Sequence, residues 1–270
     1  MAKIDEKDRF YYSKDFLASP SGRSVRILSE YYGPYQRLQR NKISDTIVFF
    51  GSARTKSRDD AEKALANLPS NADKKILRRC KIDLKMSRYY EETRELASKF
   101  TLWSKNLKES KHRYIVCSGG GPGIMEASNR GASEAGGINI GFTISLPHEV
   151  SGNKWISNDL SMKFHYFFMR KFWFLYLAKA LIVLPGGFGT LDELMELLTL
   201  LQTEKIKKRL PIVLHGKEFW EKVVNWEYLV EIGTISPEDL DLFHISDNVE
   251  NTYKYVTDFI SENELKGPNF

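Results

Sequence analysis

With 270 residues, 42% of them hydrophobic, the chain is long enough for one large domain or two small ones with a sizeable core. Its net charge of +5 is too small to indicate a nucleic-acid-binding protein, and its two cysteines exclude a disulfide framework and favour a reducing compartment. No secretory signal opens the chain and no apolar run reaches the roughly 20 residues of a membrane span, so we expect a cytoplasmic protein without a membrane partner.

The N-terminal part of the chain, residues 1–42, is rich in tyrosine and arginine and contains helical patterns but no strand pattern. We expect it to form a helical extension that packs on the outside of the domain formed by residues 43–270. A first strand is predicted at 45–52, where the sequence is "DTIVFFGS".

Residues 56–88 form a predicted insertion after the first strand. Its second half, 74–88, contains seven basic residues and one acidic residue. These charges are typical either of a solvated helical face or of a patch that binds nucleic acid, and we favour the helical face. The apolar residues interleaved with the charges predict one packing face of an amphipathic segment. They are Ile76, Leu77, Ile82 and Leu84.

Four more strands are predicted along the rest of the chain, at 113–121, 137–147, 180–187 and 210–216. These segments are almost continuously apolar, which is typical of strands buried on both faces. Helical patterns separate them, at 89–109, 122–135, 161–179, 190–204 and 217–231. The alternation predicts an α/β domain with a mostly parallel sheet and helices on both faces.

Glycine-rich or polar turns follow four of the predicted strands, at 51–54, 118–123, 145–149 and 185–190. In a parallel sheet these turns share one edge, and ligands bind in the crevice outside it. Glycine lets backbone N–H groups approach an anion closely, and the following helix adds its dipole. The sequence therefore predicts a ligand that carries a phosphate or a sugar.

The spacing of the glycines excludes the two best-known nucleotide motifs. The last position of a G-x-G-x-x-G pattern falls on Ile124, Glu126 or Asp192, depending on the starting glycine, and no Gly-Lys-Ser/Thr occurs in either loop. A monophosphate held by backbone amides is therefore favoured over a dinucleotide or a nucleoside triphosphate.

Two acidic residues follow the last glycine loop. Thr190 and Glu193 have the spacing of a capping box, and Asp192 would then favour the positive end of the helix dipole. The spacing alone supports this structural role and a functional role for Glu193 equally well. Because a carboxylate one turn from a phosphate loop has a role beside the sugar, we favour a functional role for Glu193.

Arg170 and Lys171 lie inside an otherwise apolar helix pattern. Either both are surface residues whose aliphatic stems cover buried neighbours, or one of them points into the crevice. We favour the second interpretation. The five histidines lack metal-ligand spacing, and neither Cys-x-x-Cys nor Gly-x-Ser-x-Gly occurs. We expect no metal and no cofactor.

The segment "PGGFGTLDE", residues 185–193, matches the PGGxGTxxE signature of the LOG (Lonely Guy) family, formerly labelled lysine decarboxylase. "FFGSAR", "SGGGPGIMEASNRGA", "FHYFFMRK" and "TISPEDLDLF" resemble its longer bacterial branch, and the resemblance covers about residues 45–260. It implies a Rossmann-like three-layer sandwich and phosphoribohydrolase activity. Such enzymes cleave a nucleoside 5′-monophosphate, such as a cytokinin riboside monophosphate or AMP, into free base and ribose 5-phosphate.

The resemblance also implies site residues. The catalytic pair falls on Arg170 and Glu193. Glu193 would act beside the ribose as nucleophile, as base for water or as acceptor from the hydroxyls, in a reaction with an oxocarbenium-like transition state. The phosphate would be held by the amides of 187–190. The expected substrate-binding residues are Gly51, Ser52, Gly119, Gly120, Glu149, Met169, Lys171, Gly186, Gly187, Phe188, Gly189, Thr190 and Thr199.

Other functions remain open at the level of sequence. The main alternative is a non-catalytic carrier of a nucleotide or cofactor, which would not need both Arg170 and Glu193. Lysine decarboxylation requires a pyridoxal cofactor on a lysine, and no feature supports it. The helix predicted at 161–179 carries more apolar surface than one sheet face covers, so we expect a homodimer or a higher homo-oligomer.

Overall fold

The computed structural model describes residues 9–107, 112–145 and 152–263. Its strands are β1 (Thr46–Phe50), β2 (Ile115–Ser118), β3 (Asn139–Ile144), β4 (Ser161–Phe164), β5 (Ala178–Val183), β6 (Ile212–His215) and β7 (His244–Ser246). Its helices are α1 (Lys14–Ala18), α2 (Arg23–Arg40), α3 (Arg58–Ala66), α4 (Lys74–Asn106), α5 (Ile124–Glu134), α6 (Phe167–Tyr176), α7 (Phe188–Gln202), α8 (Lys217–Val223), α9 (Trp226–Glu231) and α10 (Val249–Asn263).

The seven strands form one sheet in the order β4-β3-β2-β1-β5-β6-β7, and every pairing is parallel. The chain runs outward from β1 to β4 and then returns to the other side of β1 with β5. The strand order therefore reverses at β1, which is where open α/β sheets bind their ligands. The predicted α/β, Rossmann-like fold is confirmed, and the sheet is parallel throughout.

Alternate residues of each central strand serve two separate cores, one on each face of the sheet. In β1, Val48 and Phe50 pack with α6 and α7, whereas Ile47 and Phe49 pack with α4, α5 and α10. Since both faces are covered, the strands are continuously apolar, which is why they could be recognised in the sequence.

Two strands were not predicted, β4 and β7. The prediction of a helix over 161–179 is wrong at its start, because Ser161–Phe164 pairs with β3 and α6 begins only at Phe167. In β4, exposed and buried residues alternate, as expected of a strand at the edge of a sheet. β5 begins at Ala178, so Lys179 is a fully buried strand residue.

The basic segment 74–88 is not a separate element but the first half of α4, a single helix of 33 residues. Its expected packing face is wrong: Ile76, Leu77 and Ile82 are exposed by 52%, 36% and 42%, and Leu84 is half-buried. Several of its cations form ion pairs, among them Arg79 with Asp83 (2.8 Å) and Lys85 with Glu218 (3.0 Å).

α2 lies against α6. The indole of Trp173 donates to the carbonyl of Glu30 (2.9 Å), and the Glu30 carboxylate accepts from the N–H groups of His165 and Tyr166. These bonds tie residues 23–40 to the start of the segment that carries Arg170. The assignment of 1–42 as a separate extension stays a prediction. Within the described ranges, no helix is long and apolar enough to cross a membrane.

Candidate active site

A cavity of about 660 Å³ opens at the carboxyl ends of β1, β2 and β5, where the strand order reverses. Its described lining combines three glycine-containing turns with part of α6 and the first turns of α7. The lining residues are Phe50, Gly51, Ser52, Ala53, Arg54, Gly119, Gly121, Met125, Ile144, Phe167, Arg170, Phe174, Gly187, Phe188, Gly189, Thr190, Leu191 and Glu193.

Backbone hydrogen bonds hold the three turns together. The N–H of Ser52 donates to the carbonyl of Pro185 (3.1 Å), and the carbonyl of Ser52 accepts from Ile124 (3.0 Å). Gly120 has a φ of +68°, a conformation that favours glycine, and its N–H donates to the hydroxyl of Ser118 (3.0 Å). The cavity floor is thus a connected backbone surface.

The glycine loop 185–189 presents open N–H groups to the cavity. α7 begins at Phe188 with Gly187 as its N-cap. The N–H of Thr190 donates to the carbonyl of Gly187 (3.0 Å), whereas the N–H groups of Gly187, Phe188 and Gly189 have no acceptor among the described residues. A Cβ atom at Gly187 or Gly189 would meet open space. A ligand anion can therefore reach three of the expected four amides.

The capping-box interpretation of Thr190 and Glu193 is wrong. Thr190 lies inside the first turn of α7 rather than at its cap, and the cap has no side-chain hydrogen bond. The Thr190 side chain instead packs against Gly186, where a Cβ atom would collide with it. Glu193 is therefore left without the structural role that its spacing suggested.

Glu193 is 5% exposed, and its Oε2 atom is buried and accepts no hydrogen bond from any described residue. Burial raises the pKa of Glu193 to about 7; Lys171 and Arg170 oppose this rise, while Glu196 and Asp192 add to it. A carboxyl group with a pKa near neutrality can both accept and donate a proton, as acid–base catalysis requires.

Arg170 and Lys171 point in different directions from α6. Arg170 lines the cavity and lies over the rings of Phe167 (5.2 Å) and Phe174 (5.5 Å). Lys171 forms ion pairs with Asp192 and Glu196 of α7, each at 2.9 Å. Asp192 is therefore a partner of Lys171. We had expected Asp192 in the first turn of α7, where it would complement the helix dipole, but it lies beyond that turn.

Nine of the expected site residues line the cavity, Arg170 and Glu193 among them, and five other expected residues that the structure describes do not. Gly120 lies behind it, close to Thr143 and Ile156. Met169 is buried in the core, and the Thr199 hydroxyl donates to the carbonyl of Met195 (2.7 Å). The remaining two are Gly186, which packs against Thr190, and Lys171, which binds α7. Glu149 lies outside the described residues.

The sequence did not single out the apolar wall of the cavity. Met125, Ile144, Phe167 and Phe174 were indistinguishable from core residues, because helix and strand patterns do not tell which buried face borders a cavity. Arg54 could have been found from the sequence, since it is a basic residue within the turn that follows β1. In the described part of the chain, no cluster of three or more His, Cys, Asp or Glu residues could hold a metal ion.

The model of the protein family described as "Possible lysine decarboxylase" matches residues 125–256, which include α6, the glycine loop and Glu193. No curated protein matches the chain. Two solved structures of the molybdenum cofactor carrier protein from Chlamydomonas reinhardtii are similar to it. One has 16% identity and a TM-score of 0.41, the other 18% and 0.42, and each alignment covers 81% of this chain and 99% of that one.

The structural-genomics target TM1055 has 18% identity and a TM-score of 0.44, over 79% of this chain and 99% of its own. Similarity at this level adds nothing about function. The family match confirms the resemblance to the LOG family that the sequence blocks around the cavity indicated, and the matching model carries the older description of possible lysine decarboxylase.

Proposed function

We propose that the protein hydrolyses the N-glycosidic bond of a nucleoside 5′-monophosphate and releases the free base and ribose 5-phosphate. The observation that carries the proposal is Glu193: a buried carboxyl with an unsatisfied oxygen and a pKa of about 7. It lines the same cavity as the open N–H groups of residues 187–189. These groups suit the two ends of a ribose 5-phosphate.

In the proposed reaction the phosphate accepts hydrogen bonds from these N–H groups, and the ribose lies beside Glu193. The glycosidic C–N bond breaks, and its electron pair leaves with the base, which takes up a proton from solvent. Water forms the new C–O bond at the anomeric carbon and gives a proton to Glu193, which returns it to solvent. The negative charge of Glu193 also stabilises the oxocarbenium-like transition state. The positive charge of Arg170 favours the ionised form of Glu193.

The base would occupy the apolar wall formed by Met125, Ile144, Phe167 and Phe174. Such a wall suits a flat ring, and both AMP and a prenylated adenine nucleotide of cytokinin biosynthesis fit this description. None of the described lining residues is a lysine, so a pyridoxal cofactor has no anchoring residue among them. The chemistry of the cavity thus favours a hydrolase over the decarboxylase of the family's label.

The proposal is tested with a panel of nucleoside monophosphates and chromatographic detection of free base. We expect release from at least one purine nucleotide, and the Glu193→Gln variant should lower kcat at least about 100-fold. Glu231→Gln, an exposed change on α9, is the matched control. Tight nucleotide binding without release of base would instead favour the non-catalytic carrier.

We also propose that the protein is a homo-oligomer, most simply a homodimer. Three phenylalanines near the mouth of the cavity are largely exposed: Phe167 by 51%, Phe168 by 54% and Phe188 by 93%. Contacts with a second copy would remove this apolar surface from water. Light scattering that shows only a monomer would contradict the proposal. The cytoplasmic location stays a prediction from the sequence.

A further inference from the structure

Arg54 follows β1 and lies where three cavities meet. It lines the main cavity, a second one of about 490 Å³ beside α3 and a third one of about 340 Å³. The third cavity is also lined by Ser52, Pro185 and Gly186, which places Arg54 beside the glycine loop. The hydrogen bond from Ser52 to Pro185 fixes this proximity.

The guanidinium of Arg54 forms no ion pair or hydrogen bond with any described residue. Only its backbone N–H is engaged, with the hydroxyl of Ser52 (3.1 Å). The neighbouring cations are already paired. Lys56 (2.9 Å) and Arg79 (2.8 Å) both bind Asp83, which is 4% exposed.

The second cavity contains two further carboxylates, but both are engaged. Asp60 accepts from the hydroxyl of Ser57 (2.7 Å), and Glu126 accepts from that of Tyr90 (2.9 Å). Arg54 is therefore a charge available to a ligand on this side of the cavity.

The two cations of α6 already face carboxyl groups of α7. Lys171 pairs with Asp192 and Glu196 outside the cavity, and inside it the charge of Arg170 lowers the pKa of Glu193. A phosphate that contacted only the N–H groups at the start of α7 would gain about half a positive charge from the helix dipole. Two negative charges on the ligand then require a cation, and the glycine loop contains none.

We propose that Arg54 binds the 5′-phosphate of the substrate and makes the site selective for phosphorylated over unphosphorylated nucleosides. A guanidinium can donate two parallel hydrogen bonds to a phosphate, which complements the amides of 187–189. The phosphate then lies between the β1 turn and the glycine loop, and the sugar extends toward Glu193. The inference rests on the proposed function, because that function supplies the phosphate.

The experiment measures binding and cleavage separately. Calorimetry with ribose 5-phosphate and with ribose is carried out on the wild type, Arg54→Met and Arg54→Lys. Arg78→Met, an exposed change on α4 at a residue that lines none of these cavities, is the control. Cleavage of AMP and of adenosine is measured on the same proteins.

Arg54→Met should weaken binding of ribose 5-phosphate about tenfold or more and should lower kcat/KM for AMP, while kcat/KM for adenosine stays the same. Arg54→Lys should recover part of the loss, because a lysine replaces the charge but not the paired hydrogen bonds. Arg78→Met should match the wild type.

Affinity of Arg54→Met for ribose 5-phosphate within twofold of the wild type would overturn the inference, and so would an equal loss for AMP and adenosine. If the wild type binds nucleotides without cleaving them, the proposed hydrolysis fails. A loss of phosphate affinity in Arg54→Met would still support the role of Arg54 in that case. If the wild type binds no phosphorylated ligand, both proposals fall.

Discussion

Replacing Glu193 with glutamine should make the protein more stable while it removes activity. The pKa of Glu193 lies at about 7 instead of the usual 4.5, and burial is the main cause. A carboxyl whose pKa is raised in the folded state stabilises the fold when protonated, and this contribution is lost as the pH rises from about 4.5 to about 7. The ionised wild type at pH 8 is therefore destabilised by about 3 kcal/mol relative to a neutral side chain.

The prediction is measured by urea denaturation of the ligand-free protein at pH 5 and pH 8. Glu193→Gln should raise the free energy of unfolding by about 3 kcal/mol at pH 8 and by less than about 1 kcal/mol at pH 5. The midpoint of thermal unfolding at pH 8 should rise by about 5–10 °C. Glu231→Gln, whose carboxyl is exposed on α9, should change neither value appreciably.

The opposite result would refute this reasoning. If Glu193 served as a helix cap, its replacement would lower the stability by about 1 kcal/mol at both pH values. A loss of that size, independent of pH, would mean that Glu193 has a structural role and that its pKa is close to normal.

Three further predictions concern the same site. The kcat/KM of the wild type should rise with pH through about 7, as Glu193 loses its proton. Lys171→Met should shift this rise to higher pH, because Lys171 is the main cation that lowers the pKa of Glu193. An unchanged pH profile of the variant would contradict this prediction. Gly186→Ala should yield a strongly destabilised protein, since the new Cβ atom would collide with Thr190, as thermal unfolding would show. Gly189→Ala should keep the wild-type melting temperature, because its Cβ atom meets open space, but should weaken ribose 5-phosphate binding in calorimetry; equal melting temperatures for the two alanine variants would argue against the described loop.

Five of the seven strands were predictable because both faces of the sheet are covered. β1, for example, is buried at all five positions, so its sequence is a continuous apolar run. β4 escaped prediction because "SMKF" is short and directly precedes the aromatic residues of α6. Only its pairing with β3 distinguishes it from the first turn of a helix.

The candidate site was predictable in its glycine turns and in Arg170 and Glu193, which all lie in recognisable sequence blocks. The capping-box alternative placed the cap of α7 three residues too late, at Thr190 instead of Gly187, because the spacing of Thr190 and Glu193 is the same whether or not the hydrogen bonds form. The spacing of residues along a helix carries no information about what the other side of the helix contacts.

The sequence by itself determined the alternation of strands and helices, the positions of the glycine turns and the resemblance to a family, because these depend on residues close together in the chain. The tertiary structure alone decided which side chains share the cavity. Burial raises the pKa of Glu193, and an ion pair between Lys171 and Asp192 holds both side chains outside the cavity. The hydrogen bond between Ser52 and Pro185 places Arg54 beside the glycine loop. Each of these effects depends on distances between segments far apart in sequence, which composition and spacing do not contain.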